Sequence, residues 1–103
     1  MAQSAGFHEA LESLQSATVE RHRAIVSLME ELEAIDWYDQ RVDASNDDAL
    51  KAILAHNRDE EREHAAMSLE WLRRSDPKWD QILRTYLFTE GPITEIEEDA
   101  PEP

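Results

Sequence analysis

Apolar residues recur along the chain at three- and four-residue intervals. From about residue 8, Leu11, Leu14, Thr18, Ile25, Leu28, Leu32 and Ile35 keep this spacing, with Arg21 at the one interrupted position. Such a heptad-like stripe predicts an amphipathic helix. The pattern continues through Trp37, Tyr38 and Val42, giving a helix of about 30 residues and about 45 Å. Asp43-Ala44-Ser45-Asn46-Asp47-Asp48 predicts a turn, with Ser45 or Asn46 as the next N-cap and Asp47 and Asp48 at its positive end. A second helix is predicted over about 47–74, with a stripe of Leu50, Ile53, Leu54, Asn57, Glu61, His64, Ala65, Ser68, Trp71 and Leu72. Arg73 and Arg74 suit its negative end. Ser75-Asp76-Pro77 is a stop and a restart, with Asp76 as N-cap and Pro77 as first helical residue. A short third helix to about residue 88 is expected to bury Trp79, Ile82, Leu83 and Tyr86, and Gly91-Pro92 ends it.

The expected fold is all-α: an antiparallel two-helix hairpin plus a short C-terminal helix. Residues 1–7 read as a disordered leader, 8–93 as one helical hairpin domain, and 94–103 as an acidic, disordered tail. Two helices cannot enclose a core by themselves. Their apolar stripes call for a second copy of the chain, and a twofold dimer of hairpins is a four-helix arrangement.

Composition narrows the chemistry. The 103 residues include 24 Asp and Glu against 10 Lys and Arg, a net charge of −14. Such a surface repels phosphate backbones, so no nucleic-acid partner is expected, while cations are attracted. The absence of cysteine excludes disulfides, thiolate catalysis, zinc ribbons and iron–sulfur clusters. The longest apolar run, from Ala52 to Ala55, is far short of the ~20 residues that span a bilayer. No membrane association and a soluble, cytoplasmic protein are the expectation.

The anomaly lies in the second helix. Glu61 and His64 fall within the arc of Leu50, Leu54, Ala65 and Leu72, where a core is expected. A carboxylate placed there has to be protonated, paired or bound to metal. Glu61-x-x-His64 is also the i, i+3 ligand unit of carboxylate-bridged di-iron bundles, which use two such units plus two further glutamates. Glu31, at the flank of the first stripe, is the candidate for the extra carboxylate, so one chain carries half a set: Glu31, Glu61 and His64. A dimer supplies four Glu and two His. The bland alternative is an acidic helix with a structural Glu–His pair. An oxygen-rich set with one imidazole per metal suits Fe(II), Mn(II) or Zn(II). Tyr38 returns to nearly the angular position of Glu31, to assist a ligand or to pack at the bundle edge, and Trp37 reads as a core or interface anchor.

At these residues the sequence resembles the encapsulated ferritins. The resemblance is carried by Glu20-Arg21-His22-Arg23-Ala24-Ile25-Val26-Ser27, by Met29-Glu30-Glu31-Leu32-Glu33-Ala34-Ile35-Asp36-Trp37-Tyr38, and by His56-Asn57-Arg58-Asp59-Glu60-Glu61-Arg62-Glu63-His64-Ala65. Leu69-Glu70-Trp71-Leu72-Arg73-Arg74 and Tyr86-Leu87-Phe88-Thr89-Glu90-Gly91-Pro92-Ile93-Thr94 extend it. The resemblance implies a half-ferritin whose dimers form a ferroxidase centre and assemble into a ring-shaped decamer, held as cargo inside an encapsulin shell. The centre maps onto Glu31, Glu61 and His64, with Trp37 and Tyr38 beside it, and a metal gateway position maps onto Glu30 and Glu33. Relatives carry a C-terminal shell-targeting peptide; Asp99-Ala100-Pro101-Glu102-Pro103 holds no apolar-basic segment of that kind.

The reading is therefore a ferroxidase that oxidises Fe(II) to Fe(III) with O2 for iron storage or detoxification. Two irons per dimer are expected, with calcium, manganese or zinc as surrogates. Glu61 would bridge, and Glu31 and His64 would be terminal ligands. The rivals are a metal-dependent assembly module without turnover, a di-metal peroxidase, and a plain coiled-coil interaction domain.

Overall fold

The computed structural model describes residues 6–100 and residue 102. A 3-10 turn at Leu11–Ser13 precedes four helices: α1 (Ser16–Ala44), α2 (Asp48–Ser75), α3 (Pro77–Tyr86) and α4 (Ile93–Asp99). α1 packs along α2, α3 against α2, and α4 against α3. Asp39 meets Arg58 and Glu31 meets Ser68 across the hairpin, so numbers fall on one helix as they rise on the other. This is the all-α antiparallel hairpin that the apolar spacing predicts.

The boundaries follow local chemistry, and some differ from expectation. α1 starts at Ser16 rather than near residue 8, because Ala10, Leu14 and Gln15 are extended and confine Leu11 to the separate turn. The preceding segment folds back, placing the Phe7 ring 4.3 Å from that of His22. In one continuous helix these residues would stand about 22 Å apart. The hairpin turn is capped by Asp47, not by Ser45 or Asn46: its carboxylate accepts from the Leu50 N–H at 2.9 Å. Ser45 instead shapes the turn, its hydroxyl accepting from the Asp47 N–H at 3.3 Å. Asp76 and Pro77 do start α3 as the sequence predicts, with the Asp76 carboxylate accepting from the Lys78 N–H at 2.9 Å.

α3 ends at Tyr86, two residues earlier than expected. Phe88 takes a left-handed φ of 61° and Gly91 one of 89°, the conformation that stops a helix and usually falls to glycine. α3 also fails to bury its apolar residues as expected. Trp79 is 36% exposed, and Ile82, Leu83 and Tyr86 are only half-buried, because α3 has just the end of α2 and the short α4 to lie on. The acidic segment expected to be disordered forms α4 over Ile93–Asp99, and Gln81 reaches the Glu102 carbonyl at 3.1 Å. Leader residues 1–5 and tail residues 101 and 103 lie outside the described residues.

The core is extremely small. Among the described residues only Ala65 and Leu72 are buried. The radius of gyration is 17.3 Å, against about 13 Å for a compact domain of this length. The chain exposes 7887 Å², whereas a compact monomer of its mass would expose about 5,900 Å². Leu32, Ile53, Met67, Trp71 and Trp37 all stand largely open.

A network of ion pairs helps secure the α2–α3 corner, where the Arg73–Asp80 pair bridges the two helices. Arg73 pairs with Glu70 at 2.7 Å and with Asp80, which also accepts from Arg84 at 2.8 Å; Arg74 reaches Glu70 at 2.6 Å. The Arg73 and Arg74 hydrogen bonds hold the Glu70 carboxyl down to about 2, and Arg73 and Arg84 hold Asp80 below its usual range. Both pKa values are depressed by folding, so their stabilisation is present above the ordinary carboxylate range and is lost as pH falls through the folded values. These groups are solvent-accessible, so salt weakens the effect.

Two outcomes are expected. Leu72→Ala lowers the unfolding free energy by about 3 kcal/mol, read by urea denaturation at fixed protein concentration. The thermal midpoint falls between pH 4.5 and about 2, and this acid-dependent loss is smaller in Arg73→Ala and in high salt.

A candidate metal centre on the flank of the hairpin

The candidate ligands come from the middle of both long helices. Glu61 and His64 lie one turn apart on α2, and the His64 Nδ1 stands 3.6 Å from the Glu61 carboxylate. The Glu61 side chain is 28% exposed and that of His64 is 44% exposed. Glu31 approaches from α1. One of its carboxylate oxygens, Oε1, accepts from the Ser68 hydroxyl at 3.4 Å, a long contact. The other, Oε2, is buried and has no hydrogen-bond partner. Leaving a buried acceptor unsatisfied is costly, so this atom is the sharpest chemical anomaly in the site. A cation is the natural partner for a carboxylate oxygen in that state.

The surroundings explain why the set is incomplete in one chain. Among the described residues, no group of three or more His, Asp or Glu gathers closely enough to hold a metal ion. Leu50, Asn57, His64 and Trp71 recur at seven-residue intervals, which places them on one stripe of α2. Leu50 is 48% and Trp71 45% exposed. His64 thus shares its stripe with two open apolar side chains, Leu50 and Trp71, and with the half-buried Asn57.

The other sequence candidates are distributed unevenly. Trp37 is 44% exposed. Tyr38 is half-buried, with the Arg41 guanidinium 5.3 Å from its ring centre. Its hydroxyl makes no hydrogen bond among the described residues, so one chain does not bring it to a ligand. Glu30 is exposed, as its outward position predicts, but Glu33 is half-buried. His56 meets only Glu60, at 3.4 Å on an open face. Two residues escaped notice as contributors to the site. Ser68 follows His64 by four positions and Glu61 by seven, and that spacing was its signal. Arg58 pairs with Asp39 at 3.0 Å across the hairpin, two turns of α1 beyond Glu31, and helps fix the register that sets Glu31 opposite Ser68.

Residues 6–90 match the family described as EncFtn-like. The chain belongs to the EncFtn-like family. It is 76% identical over 98 residues to the "Encapsulated ferritin-like protein" of Rhodospirillum rubrum, covering 94% of this chain and 70% of that one. It is 37% identical over 78 residues to the "Encapsulin nanocompartment cargo protein EncC" of Myxococcus xanthus, covering 76% of this chain and 60% of that one. The crystal structure of protein ne0167 from Nitrosomonas europaea superposes with a TM-score of 0.81 at 61% identity, covering 85% of this chain and 97% of that one. The hairpin with its short third helix is therefore the EncFtn-like fold. Among the described residues no helix is long and apolar enough to cross a membrane.

Because the Tyr38 hydroxyl has no hydrogen-bond partner among the described residues, Tyr38→Phe is expected to change stability by less than about 0.5 kcal/mol, measured by thermal unfolding after chelator treatment.

Proposed function

We propose that this EncFtn-like protein is a ferroxidase whose di-iron site is formed between two copies of the chain. The observation that carries the proposal is the buried, unpartnered Glu31 Oε2 on the flank shared with Glu61-x-x-His64. A twofold arrangement covers the exposed stripe through His64 and doubles the ligand set to four carboxylates and two imidazoles. Glu61 bridges the two metal positions, and Glu31 and His64 complete them. Trp37 and Tyr38 line the approach, and Glu30 and Glu33 form a gateway.

Iron is the substrate. Two Fe(II) ions each give one electron, and O2 with two protons leaves as hydrogen peroxide, so no one-electron radical is released. The carboxylates favour Fe(III) over Fe(II) by neutralising the extra charge, and this preference drives the electron transfer. The net charge of −14 raises the local Fe(II) concentration, more so at low salt. Two observations support a wider setting: the relatives named as encapsulated and as encapsulin cargo. In that setting the protein is a ring-shaped decamer within an encapsulin shell in the cytoplasm, the ring oxidising iron and the shell storing the product.

The two-residue buried core favours one second reading, in which metal joins chains without turnover. Anaerobic Fe(II) titration followed by an O2 pulse separates the two. The ferroxidase reading expects two irons per dimer by native mass spectrometry, then the absorbance of Fe(III). It also expects Glu31→Ala and His64→Ala to slow oxidation at least tenfold. Saturation without oxidation would overturn it in favour of assembly, and variants that oxidise iron like the parent would overturn the assignment of the site to Glu31 and His64.

A further inference from the structure

We propose that Ser68 is a positioning residue for the metal centre: its hydroxyl fixes the Glu31 carboxylate so that one oxygen is engaged and the other is kept for the cation. The inference rests on the reading of Glu31, Glu61 and His64 as metal ligands. Its own basis is the unequal treatment of the two Glu31 oxygens. Oε1 accepts from the Ser68 hydroxyl at 3.4 Å, while Oε2 is buried and takes no hydrogen bond.

A glutamate has three rotatable side-chain bonds, and a ligand left to rotate pays for its ordering when metal binds. A hydroxyl on the facing helix removes that freedom in advance. Ser68 is well placed for the task. It is half-buried, and it stands one turn beyond His64 and two beyond Glu61 on the same face of α2. One hydroxyl thus ties the α1 ligand to the helix that bears the other two. Serine also suits the position for what it lacks. It carries no charge to neutralise the carboxylate, unlike the arginines that saturate Glu70 two residues further along α2. Its single proton cannot occupy both oxygens.

The test is the affinity of the assembled protein for Zn(II), a redox-silent probe, measured by competition with a chelator of known strength. Ser68→Ala is expected to weaken Zn(II) binding about 10- to 100-fold, the usual effect of removing a ligand's supporting hydrogen bond. Ser68→Thr, which keeps the hydroxyl, is expected to stay within about threefold of the parent. Helix content and subunit number, read by circular dichroism and native mass spectrometry, should match the parent in both. A purely structural role would not separate Ala from Thr in this way. Equal affinity of Ser68→Ala and the parent, or loss in Ser68→Thr as large as in Ser68→Ala, would overturn the proposal. Glu31→Ala and His64→Ala are measured alongside. If they also bind Zn(II) like the parent, the metal-centre reading itself fails; if they lose binding while Ser68→Ala does not, only the role of Ser68 fails.

Discussion

Two helices share one line of contact, and that line is too narrow to hide the apolar surface this chain carries. α1 and α2 are each long enough for a bundle, yet between them only Ala65 and Leu72 leave water. Everything else about the molecule answers to this shortage. The hairpin is extended rather than compact, its corner with α3 is secured by ion pairs, and large side chains such as Ile53 and Trp71 stand open along one flank. Under the proposed function a second copy buries that flank, and ordinary hydrophobic energetics supplies the drive. It would come before any metal chemistry.

The same flank carries the polar groups that an apolar interface would otherwise exclude. Glu61 and His64 sit within it, and Glu31 reaches it from the other helix with an oxygen that has no partner. Carboxylates enclosed without compensation would oppose association. Under the proposed function, divalent cations supply the compensation, so apolar burial and metal binding act on one surface and reinforce each other. The cost of bringing the acidic clusters of two chains together would then be met by the iron that those clusters exist to process.

Much of this was legible in the chain. The 3-4 spacing through Leu28, Leu32 and Ile35 gave the first helix, and Asp76-Pro77 gave the start of α3, because caps and stripes are local properties. Glu61 and His64 were expected where a core lies, yet within the chain their side chains stay 28% and 44% exposed. What escaped the reading depends on partners distant in sequence. The start of α1 was set eight residues too early because the stacking of Phe7 on His22 cannot be seen in a periodicity. The helix at Ile93–Asp99 was hidden by its acidic composition, although it lies against α3. Burial of Trp79 was expected from its stripe, but a stripe says only which side is apolar, not whether anything covers it. Ser68 is legible only as a member of the α2 stripe, because its contact with Glu31 joins residues 37 positions apart.

The central claim is that the ligands of two chains meet. It is tested most directly by anomalous diffraction at the zinc edge from crystals of the Zn(II)-loaded protein. The account expects paired metal peaks related by a twofold axis, bounded by Glu31, Glu61 and His64 from both chains. Metal held by one chain alone, or Glu61 and His64 facing solvent with no second copy opposite, would contradict it.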